Sequence, residues 1–438
     1  MSDLLIHGGT VVLPDGERVA DVAVEGGKIH AISAPGQTFS PGAFSRAVDA
    51  AGLVVLPGAI DAHVHFRVPG GEHKEDWDTG SMAALAGGVT TVLDMPNTDP
   101  PTTTLAALED KRARIAPRAR VNWGLYMGAT KDNLAEVKQA RNIAGLKIYM
   151  GSSTGGLLVY EDGPLASIFG GYSGRICVHA EDEQIIRDNS LKFSGATDVT
   201  VHGRIRTVTS AKRATERAIA LARRFARPVH ICHMSTAEEL ELVRAARHDG
   251  ITCEVTPHHL VLNEDGLADL GTLGKMNPPL RGKHDNEALW GGLADGVIDF
   301  VATDHAPHTL KEKMGGYWEA PSGVPGVQHM LPLLLNGVHY GRLTLTQVAQ
   351  VTATGPAERF GIQNKGRIAP GHDADLVLAA MGDARLVRVK DVVSKCGWTP
   401  YEGMDLYGWP EVTVLGGQVV YERGRFPKVT RGREVMFG

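Results

Sequence analysis

Over residues 1–56 the apolar positions fall in short strand-like runs, Leu4–Ile6, Thr10–Leu13, Val22–Val24 and Lys28–Ile32. Gly8-Gly9, Pro14-Asp15-Gly16 and Gly26-Gly27 break them apart, which predicts a small sheet and not the start of a βα series. From residue 58 the texture changes. Eight apolar strand candidates fall at 59–65, 89–95, 121–127, 145–149, 175–179, 229–233, 252–256 and 298–303, with helix-like segments between most of them. The clearest helix start is Thr236 with Glu239 three residues on, then Leu240, Leu242, Val243 and Ala246, with Gly250 as the stop. The interval 180–227 is long for one crossover and predicts additional helix or loop. After residue 365 the short β pattern returns in Gly366–Leu378 and Val412–Tyr421. The fold class is therefore α/β: a (β/α)8 TIM-like barrel over 57–365. The flanking segments 1–56 and 366–438 predict one small composite β-sandwich domain built from both termini.

Composition narrows the functional classes. The 438 residues are 43% hydrophobic and 22% charged, values of an ordinary soluble protein too long for one simple core. A net charge of -5 supplies neither a basic field for nucleic acid nor a cationic face for a membrane. Cys177, Cys232, Cys253 and Cys396 are too few and too scattered for a disulfide framework, as expected of reduced thiols in the cytoplasm. No leader pattern and no apolar run of spanning length is visible.

In a (β/α)8 barrel the chemistry sits at the C-terminal ends of the strands, so what each strand delivers there is the useful question. The first ends in His63-Val-His65-Phe-Arg67. Its two histidines share a strand face about 6–7 Å apart along the chain, half of a metal site. Alone, such a pair reads equally well as two packed histidines. Further strand ends carry Asp94-Met-Pro-Asn97, Lys147, His179, His233, Thr256-Pro-His258-His259 and Thr303-Asp304-His305-Ala-Pro-His308. Five strands converging on ligand-type residues is far harder to explain by chance.

This set resembles the amidohydrolase superfamily, and within it the dihydroorotases. The likeness rests on Asp61–Arg67, Glu72–Glu75, Asp94–Thr98, Thr256–Leu260, Lys275–Arg281 and Thr303–His308, and it covers essentially the whole chain. It implies two divalent metals, most often Zn2+, one held by His63, His65 and Asp304, the other by His179 and His233. Lys147 would bridge them as a carboxylated side chain. An ammonium of pKa about 10.4 would repel two cations, whereas the carbamate formed with CO2 is an anion. A metal-bridging hydroxide would attack the ring amide carbon. Asp304 would be the general acid/base that moves its proton to the departing nitrogen. Arg67, Asn97 and His308 would hold the substrate carboxylate and Asn277 the ring edge. An alternative for Arg67 is an ion pair with Glu72 or Glu75.

The resemblance implies reversible hydrolysis of L-dihydroorotate to N-carbamoyl-L-aspartate, a step of pyrimidine synthesis. It is compatible with a homodimer and with a transcarbamoylase partner. Ser152, Ser153 and Thr154 form a hydroxyl-bearing loop or only a turn. His202, His230, His248, His284, His329 and His339 match no ligand position and read as structural or exposed; His258, His259 and His305 lie near the site. Val68 stands where many relatives carry an acid, which touches only local loop packing. The rival readings are a hydantoinase, dihydropyrimidinase or allantoinase, and a non-catalytic scaffold. Arg67 and the Asn277–Arg281 segment oppose the first, and the complete ligand set opposes the second.

Overall fold

The computed structural model describes residues 2–37, 39–153, 157–427 and 431–438. Five strands open the chain: β1 (Ser2–Leu13), β2 (Gly16–Glu25), β3 (Lys28–Ser33), β4 (Phe44–Asp49) and β5 (Leu53–Pro57). Gly8-Gly9 does not break β1, contrary to the sequence expectation. The pair forms a bulge: the β1–β2 register slips between Ile6 and Gly9, and Gly8 sits at φ 72°. A Cβ on Gly9 would lie 2.8 Å from the Ala50 and Val55 side chains, so the close approach of β1 to its neighbours requires glycine.

Nine parallel segments follow: β6 (Ala59–Val64), β7 (Val89–Asp94), β8 (Asn122–Leu125), β9 (Met127–Gly128), β10 (Leu146–Tyr149), β11 (Ile176–His179), β12 (Val229–Met234), β13 (Ile251–Val255) and β14 (Phe300–Val301). They form two arcs, β6-β7-β8 and β9 through β14. Only Tyr126 separates β8 from β9, and Ala144 N–H donates to the Leu125 carbonyl at 2.8 Å across that break. At the other side Val64 bridges His305, and His65 N–H donates to the His305 carbonyl at 2.8 Å. β14 covers only the middle of the predicted 298–303, and the chain turns left-handed beyond it at Asp304, φ 48°. The long 180–227 interval holds three helices, Glu183–Lys192, Val201–Ile205 and Val208–Phe225. The helix Ala237–Ala246 carries the full Thr236–Glu239 capping box, and Gly250 ends the following turn at φ 75°.

The chain closes with β15 (Leu376–Ala380), β16 (Arg385–Leu386), β17 (Asp405–Leu406), β18 (Trp409–Leu415) and β19 (Gln418–Glu422). Strands from both ends share one sheet, β19-β18-β15-β5-β1-β2-β3, with β4 branching off β1. Side chains on β5 and β15 alternate as period two demands. Val55, Leu376 and Leu378 fill the sheet's own core, while Val54, Leu56, Val377 and Ala379 pack into the main α/β core. The tail beyond leaves this sheet, and Glu434 bridges Trp123 of β8. Among the described residues no helix is long and apolar enough to cross a membrane.

A buried ion pair ties β7 to the helix outside it. Lys111 donates to the Met95 carbonyl at 2.7 Å and lies 2.5 Å from Asp94 Oδ2, both side chains fully buried. Lys111→Met leaves the Asp94 charge without its cation, a loss of about 3–5 kcal/mol. The expected result is a lower denaturant midpoint, partly restored in Lys111→Met/Asp94→Asn. An unchanged midpoint in the single variant would refute this.

Candidate active site

Three of the candidate site residues occupy the left-handed region: Arg67 at φ 64°, His233 at φ 36° and Asp304 at φ 48°. Such conformations cost about 1–3 kcal/mol each and persist where the surroundings impose them. Asp304 shows how. Asp61, fully buried on β6, accepts from Thr303 N at 2.9 Å and from the Thr303 hydroxyl at 2.5 Å, clamping the residue before it.

The ligand-type residues converge. His65 Nε2 lies 2.8 Å and His63 Nε2 3.4 Å from Asp304 Oδ1. Donor atoms of these three residues fall within 4.8 Å of one another. The His63 ring is 5.3 Å from that of His233, which is 4.8 Å from that of His179. His179 Nδ1 and His233 Nε2 stand 3.0 Å apart, near the ~3.3 Å edge of a tetrahedral pair of metal-bound nitrogens. Asp304 is the most open member at 13% exposure, against 2% for His63 and 8% for His65.

The electrostatics suit a cation. Burial is the main cause that pushes His65 down to about 4 and holds His179 and His233 below the usual imidazole range. Burial opposes ionisation of Asp304, but His63 and His65 outweigh it and hold the carboxyl well below the ordinary carboxylate range. Neutral imidazoles beside a carboxylate are the donors a divalent metal takes. Lys147, 1% exposed on β10, donates to Cys232 Sγ at 3.0 Å, one residue below His233 in the strand. No carboxylate pairs with it among the described residues. A buried ammonium held only by a thiol and, at 5.2 Å, the Tyr149 ring is costly, and a carbamate paired with two cations would relieve that cost. The residues present therefore fit a metal pair.

Arg67 is 7% exposed, and its Nε donates to the Pro307 carbonyl at 3.1 Å. Among the described residues no carboxylate forms an ion pair with it, although Asp304, Asp94 and Glu312 act on its charge from farther away. Glu72 instead accepts from Gly70 N at 2.9 Å and Glu75 from Asp76 N at 3.0 Å, so neither makes the ion pair considered from sequence. Lys74 Nζ donates to His308 Nδ1 at 3.1 Å. Nε2–H then faces the Ser322 carbonyl at 3.1 Å, with an Arg67 amino group 3.2 Å away. Burial first, then the Arg67 and Lys74 charges, keep His308 neutral. Asn97 Oδ1 accepts from His65 Nδ1 at 2.6 Å, which turns the other ring nitrogen toward Asp304. Asn277 Oδ1 accepts from His202 Nε2 at 2.9 Å, and His259 Nε2 faces the Pro278 and Pro279 carbonyls at 3.1 and 3.2 Å. Thus His202, read from sequence as merely structural or exposed, positions a candidate substrate residue. His305 Nδ1 accepts from Gly326 N at 3.1 Å. Ser152 N donates to Glu183 at 2.6 Å; Thr154 lies outside the described residues.

Sequence reasoning passed over Glu181, Glu254 and Tyr149. The two acids are fully buried against candidate ligand histidines, and the Tyr149 hydroxyl is buried with no hydrogen-bond partner among the described residues. The available signal for Glu254 was a lone acid inside an otherwise apolar strand.

The chain matches the amidohydrolase family over residues 172–420 and the dihydro-orotase-like family over 52–149. It is 44% identical to a dihydroorotase of Halobacterium salinarum over 94% of this chain and 95% of the relative. It is 38% identical to a dihydroorotase of Methanosarcina acetivorans over 96% and 92% of the two chains. Among solved structures, an L-hydantoinase from Arthrobacter aurescens superimposes with a TM-score of 0.94 at 32% identity over the full length of both chains. With the ligand cluster, these likenesses show that the chain belongs to the amidohydrolase family, in its dihydro-orotase-like branch.

Proposed function

We propose that this enzyme is a dihydroorotase, opening the ring of L-dihydroorotate to N-carbamoyl-L-aspartate and closing it again. One observation carries the choice of substrate: a buried Arg67 guanidinium that, among the described residues, forms no ion pair with a carboxylate, beside His308 and the ligand cluster. A planar cation waiting for an anion suits a ring bearing a carboxylate. The hydantoinase resemblance in structure favours a second reading, an uncharged cyclic amide, which has no use for that charge.

His63, His65 and Asp304 would hold one metal, His179 and His233 the other, with carboxylated Lys147 between them. When bound, the metal pair supplies an activated water and polarises the ring carbonyl. Asp304, anionic and the most open ligand, takes a proton on its carboxylate and returns it to the ring nitrogen as the C–N bond breaks. Arg67 fixes the substrate carboxylate, which sets the ring carbonyl toward the ligand cluster. Asn97 holds His65 in register, and Asn277, fastened by His202, borders the ring.

The two strand arcs close as one (β/α)8 barrel over 57–365, and 1–56 with 366–438 make the composite β domain, except that the tail 431–438 lies along β8 of the barrel. Four free, buried cysteines support a reducing cytoplasmic setting. Loading with Zn2+ and then stripping with a chelator tests the metal chemistry. Ring opening should vanish on stripping and return with metal. Turnover that survives in verified metal-free protein would refute the two-metal reading.

A further inference from the structure

Two buried carboxylates outside the ligand set face ligand histidines from opposite directions. Glu254 on β13 is 1% exposed, and its Oε1 lies 2.5 Å from His63 Nδ1. An ionised carboxylate only accepts, so the proton of His63 sits on Nδ1 and the lone pair of Nε2 faces Asp304 at 3.4 Å. The same oxygen accepts from His233 N at 3.3 Å, and Oε2 lies 3.1 Å from His230 Nε2. His230 is itself fixed: its ring stacks on Phe300 at 4.9 Å and 6°, and Nδ1 meets the Thr252 hydroxyl at 2.9 Å.

Glu181 does the converse. It is fully buried, and its Oε2 faces His179 at Nε2, 2.9 Å away. The contact is close without being aligned as a hydrogen bond, and the carboxylate charge beside Nε2 favours the proton there, which leaves the lone pair of His179 on Nδ1, 3.0 Å from His233 Nε2. Glu181 is held by Arg206, whose guanidinium donates to that same oxygen and to the Ser152 carbonyl. Arg281 in turn donates to the Arg206 carbonyl at 2.5 Å.

We propose that Glu254 and Glu181 are positioning residues that commit His63 to Nε2 and His179 to Nδ1, so that each governs one of the two metal positions. This rests on the two-metal reading above. A carboxylate behind a ligand imidazole fixes its tautomer and raises its basicity, and its loss weakens metal binding about 10–100-fold. Gln at either position keeps the shape and removes the charge.

The test is chelator competition with Zn2+ on the full chain, counting tight equivalents. Glu254→Gln and Glu181→Gln should each weaken one equivalent about 10–100-fold and spare the other. The double variant should weaken both. Two unchanged equivalents in either single variant overturn the proposal, and so does one unchanged equivalent in the double variant. A wild-type chain that binds fewer than two overturns the two-metal reading instead. Should Glu181→Gln fail to fold beside Arg206, neutron diffraction of the metal-free wild-type protein decides. Protons on His63 Nδ1 and His179 Nε2 support the proposal, and protons on the opposite nitrogens overturn it.

Discussion

Asp304→Asn should lower kcat for ring opening on the order of 10³-fold, within the range expected for loss of a positioned acid–base group. The substitution keeps size and an oxygen donor but removes the charge and the basic site. The residue is enclosed by close neighbours. His65 Nε2 stands at 2.8 Å, His63 Nε2 at 3.4 Å, and Asp61 clamps Thr303 just before it. An amide in that frame should therefore stay in place, and the loss should fall on kcat more than on KM. Bound metal must be counted in the same preparation, since Asp304 is also a proposed ligand. A variant that retains its metals and turns over within tenfold of wild type would remove Asp304 from the proton-transfer role.

The second large effect concerns recognition. Arg67→Met should cost about 2–5 kcal/mol in binding the charged substrate, the usual loss when one partner of a buried charge pair is truncated. Expressed as kcat/KM for L-dihydroorotate, that is roughly a 30–5000-fold fall. Hydrolysis of dihydrouracil, which lacks the carboxylate, should change little. Arg67→Lys should recover only part of the loss, because a point charge does not reproduce the planar fork. Equal losses on charged and uncharged rings would show that Arg67 acts only on local structure. That outcome has a physical route, because Arg67 sits at φ 64° and bonds the Pro307 carbonyl.

The strand ends were legible because a histidine two residues from another on a strand must share its face. All eight predicted strands lie within two residues of segments that the structure contains. The last of them, β14, is the shortest relative to its prediction, and the left-handed turn at Asp304 just beyond it is a backbone choice that residue type alone does not announce. Gly8-Gly9 was misread because a bulge and a turn draw on the same residues. Glu254 escaped notice for another reason. Its meaning lies in His63, 191 positions earlier in the chain, and an acid in an apolar strand says only that a partner must exist. His202 is similar, since only the folded chain brings it to Asn277. Local pattern thus revealed what each strand carries, whereas the groups that orient those side chains depend on long-range packing.

The most direct measurement is kcat/KM for L-dihydroorotate beside dihydrouracil and hydantoin, in one metal-loaded preparation. The expected result is a preference for L-dihydroorotate of roughly 10²-fold or more, the size of a buried charge-pair contribution. Equal or faster turnover of the uncharged rings would leave the metal cluster standing. It would contradict Arg67 as a carboxylate receptor and place the chain with the hydantoinases it superimposes on.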